Sequence, residues 1–184
     1  WLPGAMAAPT PISTYLHAAT MVKAGVYLIA RLAPAFSDLD TWRPVVVTVG
    51  LATLIIGGAR AALQHDLKLM LAMGTVSQLG LMVAVFGFGS DAAMIAGAAL
   101  LLAHGLFKAA AFMVVGAVDQ YYGTRDIARI PRAARREWKI AVPAVVAAAS
   151  MAGIPPLFGF VAKESALGAM LDSTIELRYA IVIA

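Results

Sequence analysis

The chain contains no cysteine, which excludes disulfides, thiolate metal sites and cysteine nucleophiles. Charge is also scarce: 13% of its 184 residues are charged, against roughly 25% in an ordinary soluble domain. A soluble protein of this size would need a polar shell that this composition cannot supply. No phosphate loop, dinucleotide glycine fingerprint, HExxH or GxSxG occurs, so phosphoryl, hydride and acyl chemistry have no motif behind them. With three histidines as the remaining soft ligands and no defensible carboxylate cluster, neither a metal nor a cofactor is expected. The chain starts at Trp1 without a Met, a basic n-region or a small-residue cleavage site, and stops at Ala184 inside an apolar run. It is therefore expected to be a fragment of a longer protein, cut at both ends and without a signal peptide of its own.

What the chain has is apolar sequence: 61% of residues are hydrophobic, arranged in long blocks with short polar connections. About 20 apolar residues cross the hydrocarbon core as a helix. That length predicts spans over 12–33, 44–63, 67–89, 92–118 and 140–171, with a sixth beginning at 177. The class is all-α, a polytopic transmembrane bundle. In the fifth block, Ala152-Gly153-Ile154-Pro155-Pro156 removes two backbone donors and adds a glycine. Two half-helices fit there better than one helix, and such a break is tolerated only where it is buried in protein or lines a watery cavity.

The distribution of Lys and Arg sets an expected orientation. One side carries Arg60, Lys68, Arg125, Arg129, Arg132, Arg135, Arg136 and Lys139, and the other Arg31, Arg43 and Arg178. The loops around 60–68 and 119–139 are therefore expected to be cytoplasmic, in a multi-pass protein of the cell membrane. A net charge of +4 invites a nucleic-acid reading, but membrane-surface asymmetry accounts for these cations better. No nucleic acid is expected as a partner.

Three lysines remain, Lys23, Lys108 and Lys163, and they fall inside the apolar blocks. Each would cost at least about 2.5–3.5 kcal/mol at the bilayer centre. Snorkelling to the headgroups is the plain alternative; it suits Lys163, with Glu164 beside it, better than Lys23 or Lys108, which lie well inside their spans. The functional reading is that desolvation brings a lysine's two protonation states closer in free energy, so that it can exchange a proton. His104 and Lys108 are four apart and share a helix face, with small residues Ala103, Gly105 and Ala109 around them. His17 and Lys23 are six apart, about 600° of rotation, so an ideal helix separates them; His17 acts at another depth, or the helix bulges. Thr20 and Tyr27, at minus three and plus four, are expected to share the face of Lys23. Ser77 and Gln78 read as interhelical glue. Asp66 and Lys68 open the third span, Asp66 either as a first-turn carboxylate at the positive helix end or, with Lys68, as a proton entry. Together these residues suggest movement of protons or cations across a bilayer. A scaffold whose lysines only pair between helices is the bland competitor.

The runs from Trp1 to Pro11 and from His17 to Leu28 resemble the core of antiporter-like subunits of respiratory complex I and of Mrp-type multisubunit cation/proton antiporters. So do His65-Asp66-Leu67-Lys68 with Ser77-Gln78-Leu79-Gly80, and His104 with Phe107-Lys108-Ala109. Val118 to Ile127, Ser150 to Phe160 and Lys163-Glu164 look most like the large subunits of the Mrp branch. The resemblance implies an antiporter-like fold with two inverted five-helix repeats, each containing a broken helix, of which 1–184 covers the second. It implies that Lys23 is a central lysine, that His104 and Lys108 form a relay on the broken helix, and that Lys163 is terminal. His17 joins this proton path, with Thr20, Tyr27 and Glu164 as accessories. The implied partners are other membrane subunits of a hetero-oligomeric complex, H+ and Na+. The implied role is that of an ion transporter, not an enzyme. A proton-pumping, non-redox subunit of an NADH:quinone oxidoreductase is the alternative.

Overall fold

The structure, a computed structural model, describes residues 4–131 and 137–183, with side chains described as far as Asp172. Among these residues the chain forms seven α-helices: α1 (Thr10–Ala18), α2 (Ala24–Phe36), α3 (Trp42–Ala62), α4 (Leu67–Gly87), α5 (Asp91–Tyr122), α6 (Trp138–Ala152) and α7 (Phe158–Ile183). Short 3-10 turns at Gly4–Ala7 and Met21–Lys23 precede α1 and α2. Among the described residues, four segments are long and apolar enough to cross a membrane: Thr10–Phe36, Trp42–Ala62, Leu67–Gly87 and Asp91–Tyr122. Trp138–Ala152 is a shorter apolar helix.

The helix ends follow local chemistry. Pro11 sits in the first turn of α1, where its missing N–H costs nothing. Asp66 caps α4 by accepting from Lys68 N and Leu69 N. Ser90 caps α5 through Ala93 N, with Asp91 in the first turn. Gly123 (φ +66°) and Gly153 (φ +88°) end α5 and α6 in the left-handed conformation, which glycine adopts without steric cost.

Three expectations need correction. The first span is not continuous: Thr20 (φ −121°, ψ −89°) leaves helical geometry, and a 3-10 turn carries Lys23 into α2. No interruption separates the fifth block from a sixth span, because α7 runs unbroken to Ile183; the residues from Asp172 to Arg178 include no Gly or Pro to stop it. The first span also runs past 33, since α2 continues through Pro34 to Phe36; in the last turn only one bond is lost. The break at Gly153 to Leu157 between α6 and α7 lies where the Gly-Ile-Pro-Pro sequence puts it. Arg132, Arg135 and Arg136 lie outside the described residues.

α5 is the axis, packing against α1, α4, α6 and α7. The main core joins Val26 of α2, Met82 and Phe86 of α4, Leu100 and Phe107 of α5, and Ala166 of α7. A smaller cluster joins Met6, Leu71, Ala72, Phe112 and Val115. α3 and α4 touch backbone to backbone: a Cβ on Gly57 would lie 2.6 Å from Ser77 N, and one on Gly80 would lie 2.6 Å from Leu54 N. Small residues at such a contact are how membrane helices approach without hydrophobic drive. Ser77 Oγ then donates to Leu54 O at 2.8 Å, so its interhelical role is observed, whereas Gln78 Oε1 is buried without a partner. Replacing Gly80 by Leu should force α3 off α4, costing about 1–3 kcal/mol by overpacking. The expected result is loss of monodisperse protein in size-exclusion chromatography, with a Gly25→Leu variant, which meets open space, retaining it.

Candidate functional site

The lysines of the apolar blocks each donate to a backbone carbonyl on another helix. Lys23, at the break between α1 and α2 and 9% exposed, donates to Leu101 O of α5 at 2.9 Å. Lys108, in the middle of α5 and fully buried, donates to Leu71 O of α4 at 2.8 Å. Lys163 of α7 is half-buried and donates across the second break to Met151 O of α6. The Met151 acceptor has a simple origin: the residue four further on is Pro155, which has no N–H to give it. That carbonyl lies at the negative end of α6, where a cation is favoured. No ion pair joins these three lysines to a carboxylate among the described residues.

His104 lies between Lys23 and Lys108. It is fully buried, packs edge-on against Phe107 at 5.4 Å, and is close enough to feel the charges of Lys108, Lys23 and His17. Both of its ring nitrogens are buried without a protein hydrogen-bond partner, which is uncommon for buried polar atoms. His17 Nδ1 is bonded to Ser13 O at 2.9 Å, its Nε2 has no partner, and its ring lies 5.0 Å from Phe112. The break after Ala18 resolves the spacing of His17 and Lys23: a non-helical Thr20 resets the phase, and both side chains end up buried.

Lys68 is 2% exposed and donates to Ala8 O, just before α1. Asp66 is its neighbour in sequence but not its partner. The Asp66 carboxylate caps α4 and meets Arg125 Nε at 3.4 Å, and Arg125 also approaches Asp119 at 3.9 Å. The loop after α3 and the loop after α5 are clipped together by Leu67 N to Arg125 O and Ile127 N to His65 O, both 3.0 Å. The two connections expected to be cytoplasmic therefore lie on one side of the bundle.

Three placements differ from the sequence reading. Tyr27 is 63% exposed and Thr20 Oγ1 turns to Tyr15 O, so neither shares the surroundings of Lys23, because Lys23 sits in the 3-10 turn and not in a continuous helix. Glu164 is exposed and lines the same open cavity as Lys163, while the Lys163 ammonium donates to Met151 O. The helix that bears His104 and Lys108 is unbroken; Lys23 sits at the first break and Lys163 in α7 just after the second. Residues to which the sequence reading gave no site role include Phe112, Arg125 and Asp119, and Ser13 and Thr75, both fully buried. Only the last two had a readable signal, a hydroxyl in an apolar helix, Ser13 standing four residues before His17.

An apolar cavity of about 470 Å³ separates the Lys108 and Lys163 sites, lined among others by Leu71, Ala111, Val115, Ala144 and Met151. The carbonyl-bearing residues Leu71 and Met151 thus face one space. Replacing Asp66 by Ala should lower the thermal midpoint through loss of a cap worth about 1 kcal/mol. Asp66→Asn, which keeps a capping oxygen and loses only a half-exposed ion pair, should cost less; equal losses in differential scanning fluorimetry would contradict the capping role.

Basic groups docked on carbonyls at membrane depth, two of them next to helix breaks, define a polytopic helical membrane protein. All of residues 1–184 match the family described as "NADH:quinone oxidoreductase/Mrp antiporter, TM", and the chain belongs to that family. It is 46% identical over 164 residues to a Rhizobium meliloti (strain 1021) protein named as the probable A/B subunit of a K(+)/H(+) antiporter, covering 89% of this chain and 16% of that protein. It is 46% identical over 180 residues to the A1 subunit of a Na(+)/H(+) antiporter of Staphylococcus aureus (strain JH9), covering 91% of this chain and 22% of that protein. The chain thus spans about a fifth of the length of these relatives. Among solved structures, the Mrp complex from Dietzia sp. DQ12-45-1b superposes with a TM-score of 0.89 at 48% identity, over 94% of this chain and 19% of that one. The membrane-bound sulfane sulfur reductase, an archaeal respiratory membrane complex, gives 0.84 at 26% identity, over 92% of this chain and 35% of that one.

Proposed function

We propose that this chain is the second inverted repeat of a large Mrp-type antiporter subunit, and that it carries protons in exchange for a monovalent cation within a hetero-oligomeric membrane complex. The observation that carries the reading is the set of buried ammoniums held on carbonyls alone, with His104 unpartnered between two of them. A lysine paired with a carboxylate would be locked in the charged form. One docked on a neutral carbonyl can give up its proton without leaving an uncompensated buried anion behind. A proton then passes along Lys68, His17, Lys108, His104 and Lys23, with Lys163 as the terminal site and Asp66 with Lys68 at the entry. Relatives named for Na+ and for K+ support a monovalent cation as the exchanged ion, Na+ being the first candidate. Transport, and not covalent catalysis, is the role this supports.

A second reading keeps the fold and changes the complex: a proton-pumping subunit of a respiratory NADH:quinone oxidoreductase. The likeness to the archaeal respiratory complex favours it, and the higher identity to antiporter subunits favours the first.

The test uses the full-length protein in its complex. Lys108→Ala should abolish cation-driven proton exchange in inverted membrane vesicles while the complex still assembles on native gels, and wild-type exchange rates in that variant would sink the relay. The clipped loops carry the excess of Arg and Lys and are assigned to the cytoplasm. A Gln64→Cys variant should accordingly react with an impermeant maleimide in inverted vesicles and not in intact cells.

A further inference from the structure

The carbonyls that receive Lys23 and Lys108 have one feature in common. Leu101 O of α5 is followed four residues later by Gly105, and Leu71 O of α4 is followed three residues later by Gly74. In an α-helix the Cα–Cβ bond leans toward the N-terminus, so a side chain at i+3 or i+4 covers the turn that holds the carbonyl of residue i. Glycine leaves one of the two covering positions empty at each carbonyl; the other is His104 at i+3 from Leu101, and Thr75 at i+4 from Leu71, whose Oγ1 donates to Leu71 O at 2.9 Å and shares it with Lys108.

The ammoniums occupy the space that results. A Cβ on Gly105 would lie 2.8 Å from Lys23 Nζ and 3.2 Å from Ala18 O, and one on Gly74 would lie 3.3 Å from Lys108 Nζ. The first distance is shorter than a Cβ atom tolerates, and the second is tight. Neither glycine is needed for backbone conformation, since both lie inside helices. Gly74 meets nothing else within 4 Å. Glycine in a helix interior is otherwise unfavourable relative to alanine, so packing and local geometry leave Gly74 with no other role than the lysine.

We propose that Gly105 and Gly74 are positioning residues, each opening one helix carbonyl so that the ammonium of Lys23 or Lys108 docks on it in place of a carboxylate. The claim rests on the reading of these lysines as the transport axis. One methyl group at Gly105 would overlap the Lys23 ammonium and crowd Ala18 O, so the ammonium leaves Leu101 O and the path between α2 and α5 is broken. At Gly74 the Lys108 ammonium has only to give way by a few tenths of an ångström, so the same methyl does less.

The experiment is a pair of double-mutant cycles in the full-length protein within its complex, read by cation-driven proton exchange in inverted vesicles and by the apparent thermal midpoint of the purified complex. Gly105→Ala should lose most of the exchange and lower the midpoint, and Gly74→Ala should lose less of both. In a Lys23→Ala background the midpoint loss from Gly105→Ala should shrink, leaving only the part due to the Ala18 carbonyl 3.2 Å away. In a Lys108→Ala background Gly74→Ala should raise the midpoint, as the helix preference of alanine emerges. Equal midpoint losses with and without the lysine would mean that the glycines serve helix packing, and would overturn the proposal. So would wild-type exchange in Gly105→Ala when Lys23→Ala is inactive. If Gly105→Ala alone fails to assemble, the Lys23→Ala/Gly105→Ala pair decides: assembly supports the proposal and failure overturns it. If Lys23→Ala itself exchanges at the wild-type rate, the transport reading of Lys23 falls, and the midpoint cycle judges the seating independently.

Discussion

The rest of the molecule depends on an ammonium held by a backbone carbonyl of a neighbouring helix. A hydrogen bond to a charged group is worth about 1.5–3 kcal/mol, and a lysine at membrane depth costs at least about 2.5–3.5 kcal/mol. The two nearly offset. A carboxylate partner would tip the balance firmly toward charge, and an apolar pocket would tip it away. A neutral carbonyl tips it less than either, and under the proposed function that is the condition a proton carrier needs. Helix packing serves that condition, since Lys23 requires α5 beside the first break, Lys108 requires α4 beside α5, and Lys163 requires the end of α6 beside α7.

Much of the fold was legible because the bilayer imposes lengths. The spans over 44–63 and 67–89 lie within about two residues of α3 and α4, and the Gly-Ile-Pro-Pro run located the second break. The first break was illegible for a definite reason. Between His17 and Lys23 stand Ala, Ala, Thr, Met and Val, none of which forbids a helix, so the interruption at Thr20 comes from tertiary contacts that local preference does not record. The same miss carried Thr20 and Tyr27 onto a face with Lys23 that the 3-10 turn removes. His104 and Lys108 were placed correctly on one buried face, because α5 is regular and four residues make a turn.

The charged residues at the loop side illustrate a second limit. Charge counting put the two basic connections on one side, and the backbone bonds between His65 and Ile127 and between Leu67 and Arg125 join them. It did not say that Arg125 would take Asp66, leaving Lys68 to turn inward to Ala8. Asp66 and Lys68 are two residues apart in sequence, and at i,i+2 on a helix start they do not face each other. The partner of each is chosen by a segment about 60 residues away in sequence, for Lys68 and likewise for Asp66, which no short motif encodes.

The glycine contacts between α3 and α4 have a mechanical consequence. Two helices whose backbones meet without intervening side chains have no rotamers to rearrange and no thickness to compress, so they behave as one plank. α4 is further pinned at its first turn by the clip to the loop after α5. The Leu71 carbonyl is therefore mechanical ground, a fixed electrode against which Lys108 is measured, while the two interrupted helices supply the compliance. Any displacement that separates an ammonium from its acceptor is accordingly easiest at Lys23 and Lys163, whose chain segments can flex at a break, and hardest at Lys108.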